Sequence, residues 1–192
     1  MQELAIERGT FAMMFLAFTA VAAWQRVTQT FGLGGTRVKA RHSYVRQSFN
    51  LLFVTYLACV VFTIAEFFWV GRELDLIVSL FGLIVCLSGI ALRNAAIRAM
   101  GEAWSFQIDL EKTKSIVRTG PYRYLRHPYY LAVFFELLGF ALITNSYYAC
   151  LLVIALQSPL LLWRIRVEER ALQHRFGRVY QWYKRKLGNL PL

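Results

Sequence analysis

Acidic residues and paired cysteines are what this chain has least of. Its 192 residues hold 11 Asp and Glu against 22 Lys and Arg, giving a formal net charge of +11. The three cysteines, Cys59, Cys86 and Cys150, stand alone inside apolar runs. Without zinc-ligand or CxxC spacing they point to packing, and they exclude a structural metal or redox pair as the organising device. Positive charge is missing where a cleaved signal peptide needs it, since Met1 to Arg8 sets Glu3 and Glu7 against one arginine. Gly9 to Trp24 is therefore expected to be a retained membrane helix. Nucleic acid is not the expected partner of the net charge, because 20 of the 22 basic residues fall between or after apolar segments and not along one soluble face.

What is abundant is apolar and aromatic surface. At 57% hydrophobic and 16% aromatic residues the chain is too apolar for a soluble domain of this length, so a lipid bilayer is the expected solvent. Further apolar runs cover Phe49 to Val70, Leu76 to Leu92, Tyr129 to Thr144 and Tyr147 to Trp163. The longer ones suffice to cross about 30 Å of hydrocarbon at about 1.5 Å per residue. Asn145 and Ser146 alone separate the last two, which predicts an antiparallel hairpin. Pro159 predicts a kink just before Trp163.

The basic residues alternate between these segments. Arg26 to Asn50 holds five arginines or lysines and no acid, with Gly32, Gly34 and Gly35 breaking any helix. Arg93 and Arg98 read as re-entry into the same compartment, and Trp104, Phe106, Ile108 and Leu110 as a segment lying at the interface. Arg8 and Arg72 alone fall on the other side, so the positive-inside rule predicts the amino terminus outside and the carboxyl terminus in the cytoplasm. The expected fold is all-α: a polytopic membrane protein of about five transmembrane helices in a single 1–192 domain. Residues 1–92 would supply three spans. Residues 93–192 would supply a cytoplasm-facing cofactor-binding segment, the hairpin and an amphipathic helix over Arg164 to Leu187, interrupted near Gly177.

Chemistry is expected where charges converge. Arg126, His127 and Pro128 start the fourth helix, with Pro suited to its first turn and free amides nearby. Arg164 and Glu168, four residues apart, share a helix face just past the fifth span. The tight hairpin brings the two groups to one membrane face. Two acidic residues sit inside spans: Glu66 near a boundary, where a solvated or interfacial role is expected, and Glu136 in mid-helix, which could be protonated, face a partner helix or line an entry route.

GPYRYLRHPYY from Gly120 to Tyr130, followed by the hairpin and then RIRVEERALQHRFGRVYQWY from Arg164 to Tyr183, resembles the isoprenylcysteine carboxyl methyltransferase family of integral membrane enzymes. The likeness runs from Gly101 to the end. It implies S-adenosyl-L-methionine as cofactor, bound by Gln107, Lys114, Ser115, Ile116, Val117, Tyr122, His127, Pro128, Tyr129, Tyr130 and Glu168. It also implies Arg164 as the catalytic, substrate-binding arginine facing an acceptor carboxylate, with no metal and no nucleic acid. The acceptor implied is a prenylated cysteine or similar lipophilic acid. Alternatives are a phospholipid amine or small thiol with the same cofactor, or an NADPH-dependent reductase of the sterol type, which shares a similar carboxyl-terminal arrangement of aromatic and basic residues.

Overall fold

The computed structural model describes residues 8–29, 43–101 and 116–188. Among them every regular element is helical: α1 (Arg8–Val27), α2 (Ser43–Val70), α3 (Leu76–Met100), a 3-10 turn (Gly120–Arg123), α4 (Pro128–Ile143), α5 (Tyr147–Leu152), α6 (Ser158–Phe176) and α7 (Arg178–Lys186). A π-helical segment, Val153–Gln157, joins α5 to α6, so that Tyr147–Phe176 runs as one 30-residue rod. That rod, α1, α2 and α3 are each long and apolar enough to cross a membrane; α4, with 16 residues, is shorter. Chain packing divides into Met1–Val38 and Lys39–Leu192. The first unit holds α1, and the second holds every other element.

Within the second unit the exposed side chains are those a bilayer would cover. Phe53, Val61, Phe62, Leu80, Phe81, Ile84 and Leu87 all lie open on α2 and α3. In water such a surface would drive aggregation, whereas in lipid it costs nothing. Packing between spans uses small residues and polar contacts instead. Gly82, Cys86 and Gly89 form one stripe on α3, facing Gly139 and Glu136 of α4. A methyl group added at Gly139 would strike the backbone of Cys86, and one at Gly82 the backbone of Ile143.

That close approach lets Glu136 meet a cation. Arg93 Nε lies 2.7 Å from Glu136 Oε1, and both side chains are buried. Arg93 therefore does not mark the end of the third span: α3 continues to Met100, stopped by Gly101 at a positive φ of 52°. Of the roles open to Glu136, facing a partner helix is the one observed. A lone carboxylate in a span is expensive, and a guanidinium from the neighbouring helix makes it tolerable.

The other acidic residue is also taken up structurally. Glu66 is 6% exposed, and its carboxylate accepts from the amides of Tyr148 and Ala149 at 3.1 and 2.7 Å. It thereby supplies the amino end of α5 with the cap that its own residues lack. Asn145, at a positive φ of 54°, turns the hairpin and donates to Ser79 Oγ at 2.8 Å. The amide of Asp75 donates to its Oδ1 at 3.1 Å. The turn between α4 and α5 is thus pinned to both α2 and α3, which aligns the far ends of these helices.

Pro159 was expected to disturb the fifth span, and the helix is distorted just ahead of it. Its ring crowds the carbonyl four residues back, at Ala155, and the helix has widened into the π segment around that carbonyl. The distortion is absorbed before the proline, and Ser158–Phe176 continues as a regular helix through Trp163 and Arg164.

Candidate functional site

At the end of the unit opposite the Asn145 turn, four pieces of chain meet: the start of α2, the segment from Ile116 to Tyr130, the middle of α6 and α7. Pro128 opens α4 with its fixed φ and needs no amide partner there. Arg126, His127 and Pro128 are consequently held in a buried bend, with Arg126 and His127 each 4% exposed.

Two neighbouring carboxylates on α6 divide the site. Glu168 faces α4: its Oε2 accepts from the Tyr130 hydroxyl at 2.6 Å. The same hydroxyl accepts from Arg164 Nε at 3.2 Å, and an Arg164 terminal nitrogen donates to Ser48 Oγ at 2.8 Å. Arg164 is 2% exposed, so this is no surface ion pair. The expected neighbourhood of Arg164 and Glu168 is present, with the Tyr130 phenol between them. Ser48, Arg164, Tyr130 and Glu168 form a polar chain linking α2, α6 and α4.

Glu169 faces the other way and gathers cations. Arg126 pairs closely with its Oε1, Lys184 Nζ lies 2.8 Å from its Oε2, and His127 Nε2 lies 3.6 Å from Oε1. That last distance is beyond a hydrogen bond, and His127 Nε2 is buried without a hydrogen-bond partner. Glu169 thus ties the start of α4 to α6 and α7, with the buried His127 imidazole beside it.

The wall opposite is aromatic. Gly177, at a positive φ of 49°, ends α6 and redirects the chain into α7. This is the interruption expected there, and it turns Tyr180 and Tyr183 inward. Tyr183 donates its hydroxyl to the Tyr122 carbonyl at 2.7 Å, joining α7 to the 3-10 turn. Burial pushes the Tyr183 phenol up to about 12, against the pull of Arg118 and Arg126. The Tyr122 phenol is raised as well, by burial first and then by the Glu168 carboxylate. Neither ionises near neutrality.

Of the residues expected to form the site, Tyr122, His127, Pro128, Tyr129, Tyr130, Arg164 and Glu168 fall within this region, and Ile116 and Val117 are half-buried at its edge. Gln107, Lys114 and Ser115 lie outside the described residues. Missing from the expectation were Ser48, Glu169, Tyr183 and Lys184. Ser48 is 116 residues from its partner, and no local pattern marks it. Glu169 had a signal, being an acid within a strongly basic helix next to Glu168.

Residues 82–174 match the model of the isoprenylcysteine carboxyl methyltransferase (ICMT) family. The chain is 29% identical over 133 residues to protein-S-isoprenylcysteine O-methyltransferase of Homo sapiens, covering 66% of this chain and 45% of that one. It is 35% identical over 117 residues to the Xenopus laevis enzyme of the same name, covering 57% and 38%. It is also 34% identical over 89 residues to the uncharacterized protein YpbQ of Bacillus subtilis, covering 46% and 53%. The chain thus spans about half the length of the curated relatives it matches. No solved structure matches it significantly.

Proposed function

This chain belongs to the isoprenylcysteine carboxyl methyltransferase family, and from that premise we propose that it transfers a methyl group from S-adenosylmethionine to the carboxylate of a lipophilic, isoprenylcysteine-like acceptor. The observation that carries this reading is the buried chain Ser48–Arg164–Tyr130–Glu168, in which a guanidinium and a carboxylate are held by one phenol. It offers an anion receptor and a cation receptor side by side at the end of a membrane bundle. A cationic cofactor and an anionic acceptor need that pairing.

The donor set fits the cofactor. Glu168 suits its ammonium, and the buried His127 Nε2 suits its carboxylate. Tyr122 and Tyr129 supply aromatic surface for adenine. The family likeness also assigns Gln107, Lys114, Ser115, Ile116 and Val117 to cofactor contacts. When bound, S-adenosylmethionine supplies a methyl group on a positively charged sulfur. The rest is done by the protein's own residues. Arg164 receives the acceptor carboxylate through a two-pronged contact and aims one oxygen for in-line attack. A carboxylate is already ionised at neutral pH, so no general base is required. An amine or thiol acceptor would first have to lose a proton. Glu168 is hydrogen-bonded to Tyr130 and Glu169 is paired with Arg126 and Lys184, which favours a carboxylate acceptor.

Sidedness follows from charge. The site lies at the basic end of the bundle, so the positive-inside rule supports a cytoplasmic site and carboxyl terminus with the amino terminus outside. We take 1–192 to work as one domain, α1 being its first span.

The test is a thermal-shift titration of the purified chain followed by a labelled-methyl assay. S-adenosylhomocysteine should raise the melting temperature, by about 2.7 kcal/mol of stabilisation at one hundred times its Kd. Label should pass to a prenylated cysteine and not to its methyl ester. Stabilisation by NADPH alone would overturn the assignment in favour of a reductase. Label appearing on phosphatidylethanolamine or a thiol instead would overturn the acceptor.

A further inference from the structure

The side of α7 turned away from the site carries a second pattern, which methyl transfer does not use. Tyr180 and Tyr183 are buried, whereas Arg178, Val179, Trp182, Arg185 and Lys186 are exposed. Beside this face the 3-10 turn and its flanking residues expose Arg118, Arg123 and Tyr124. The two pieces interlock. The Arg118 guanidinium lies 4.9 Å from the centroid of the Trp182 ring and Lys186 Nζ 5.3 Å from it, while Arg123 stands 5.9 Å from the Tyr124 ring.

The charge on this surface has one sign. Residues 116–127 and 178–188 contain no Asp or Glu. A face meant only for water normally mixes both signs, because like charges repel and each pays nothing for a nearby opposite one. At the centre of this basic face sits a half-exposed Trp182, with a nearly open Tyr124 at its edge. Trp and Tyr are the side chains enriched at headgroup depth, where an apolar ring and a polar edge are both accommodated. The surface also adjoins the start of the apolar α4, where hydrocarbon would give way to headgroups.

We propose that Arg118, Arg123, Arg178, Trp182, Arg185 and Lys186 form a docking surface for anionic phospholipid headgroups of the surrounding leaflet. Basic residues near an anionic leaflet each strengthen attachment, and Trp182 inserts between the headgroups. Because the opposite side of α7 holds Tyr122 through Tyr183 and Glu169 through Lys184, docking also presses α7 onto the site. The docking itself rests on the fold and surface chemistry; only its consequence for the site rests on the methyl-transfer reading.

The experiment reads Trp182 alone. The full chain is placed in nanodiscs of phosphatidylcholine, or with about 30% phosphatidylglycerol added to approach an anionic leaflet. Each disc carries a headgroup-level quencher, and the Trp182 signal is taken as the difference between the wild type and Trp182→Phe. Quenching should be at least about twofold greater in the anionic discs. Raising salt from about 0.1 M to about 1 M, which shortens the screening length from about 10 Å to about 3 Å, should abolish the difference without any substitution. Replacing Arg178, Arg185 and Lys186 together by Gln should bring the ratio of quenching between the two discs back to about one at unchanged helicity. Equal quenching in both discs would overturn the proposal. So would shielding of Trp182 from aqueous iodide by soluble polyglutamate but not by phosphatidylglycerol, which would assign the surface to an acidic polypeptide. S-adenosylhomocysteine binding in phosphatidylcholine discs provides the separate check on the enzymatic reading, since loss of that binding leaves the lipid result untouched.

Discussion

Arg164 is held by two neighbours on different helices. Its Nε donates to the Tyr130 phenol and a terminal nitrogen to Ser48, so its planar fork is fixed in orientation, as the proposed role of receiving an acceptor carboxylate requires. Arg164→Lys should therefore raise the KM for the acceptor by at least about tenfold, from loss of a bidentate contact, while S-adenosylhomocysteine affinity stays within about twofold. Retained full activity would remove Arg164 from its role. Ser48→Ala should cost less, about 1 kcal/mol or fivefold in kcat/KM, and Ser48→Thr should recover most of it by keeping a hydroxyl. Tyr183 acts farther out. Its phenol is raised in the folded state, so the stability it contributes is complete below the unfolded value near 10 and is lost as pH climbs through about 12. The advantage of the wild type over Tyr183→Phe, about 1 kcal/mol from the hydrogen bond to Tyr122, should hold up to pH 10 and disappear towards pH 12. Denaturation in detergent at stepped pH would show it.

Helix pairs carry a different kind of energy. Between α3 and α4 the glycine stripe brings backbones together, and Arg93 with Glu136 places a charge pair in the same seam. Removing one partner leaves the other charge buried, so Arg93→Ala or Glu136→Ala should each destabilise by about 3–5 kcal/mol. Arg93→Met combined with Glu136→Leu should cost much less than the sum, a non-additivity that thermal unfolding in detergent would measure. Gly139→Leu would collide with the Cys86 backbone and should lower the melting temperature on its own. These effects belong to spans whose existence was legible from apolar runs. Their ends were less so: Leu92 looked terminal because Arg93 follows, and only a carboxylate on another helix makes that arginine a mid-span residue. Pro159 was legible as a disturbance, but whether a helix kinks or widens depends on how its neighbours pack.

Taken as a bundle, the second unit is pinned at both ends by polar contacts of high sequence separation. At one end Glu66 and Asn145 bind the hairpin turn to α2 and α3; at the other Glu169 and the Ser48–Glu168 chain bind α2, α4, α6 and α7. The first set holds the hairpin so that its other end presents Tyr130 to Arg164 and His127 to Glu169. Glu66→Gln should leave the α5 amides with a weaker acceptor and lower the thermal stability by about 1–2 kcal/mol, with cofactor affinity preserved once folded. A matched loss of S-adenosylhomocysteine binding in the folded variant would mean that this end communicates with the site.

Apolar run length, the two-residue turn, the helix-breaking glycine at 177 and the one-sided basic charge settled the helical class, the hairpin and the face on which Arg164 and Glu168 would meet. All of these are local, and chain geometry enforces them within a few residues. The partner of each buried charge was decided only in three dimensions: Arg93 for Glu136, two backbone amides and Arg72 for Glu66, Ser48 and Tyr130 for Arg164, and Arg126 with Lys184 for Glu169. The physical reason is that a buried charge in a membrane bundle must be satisfied by whatever donor the packing brings within reach, and proximity across helices has no period in sequence.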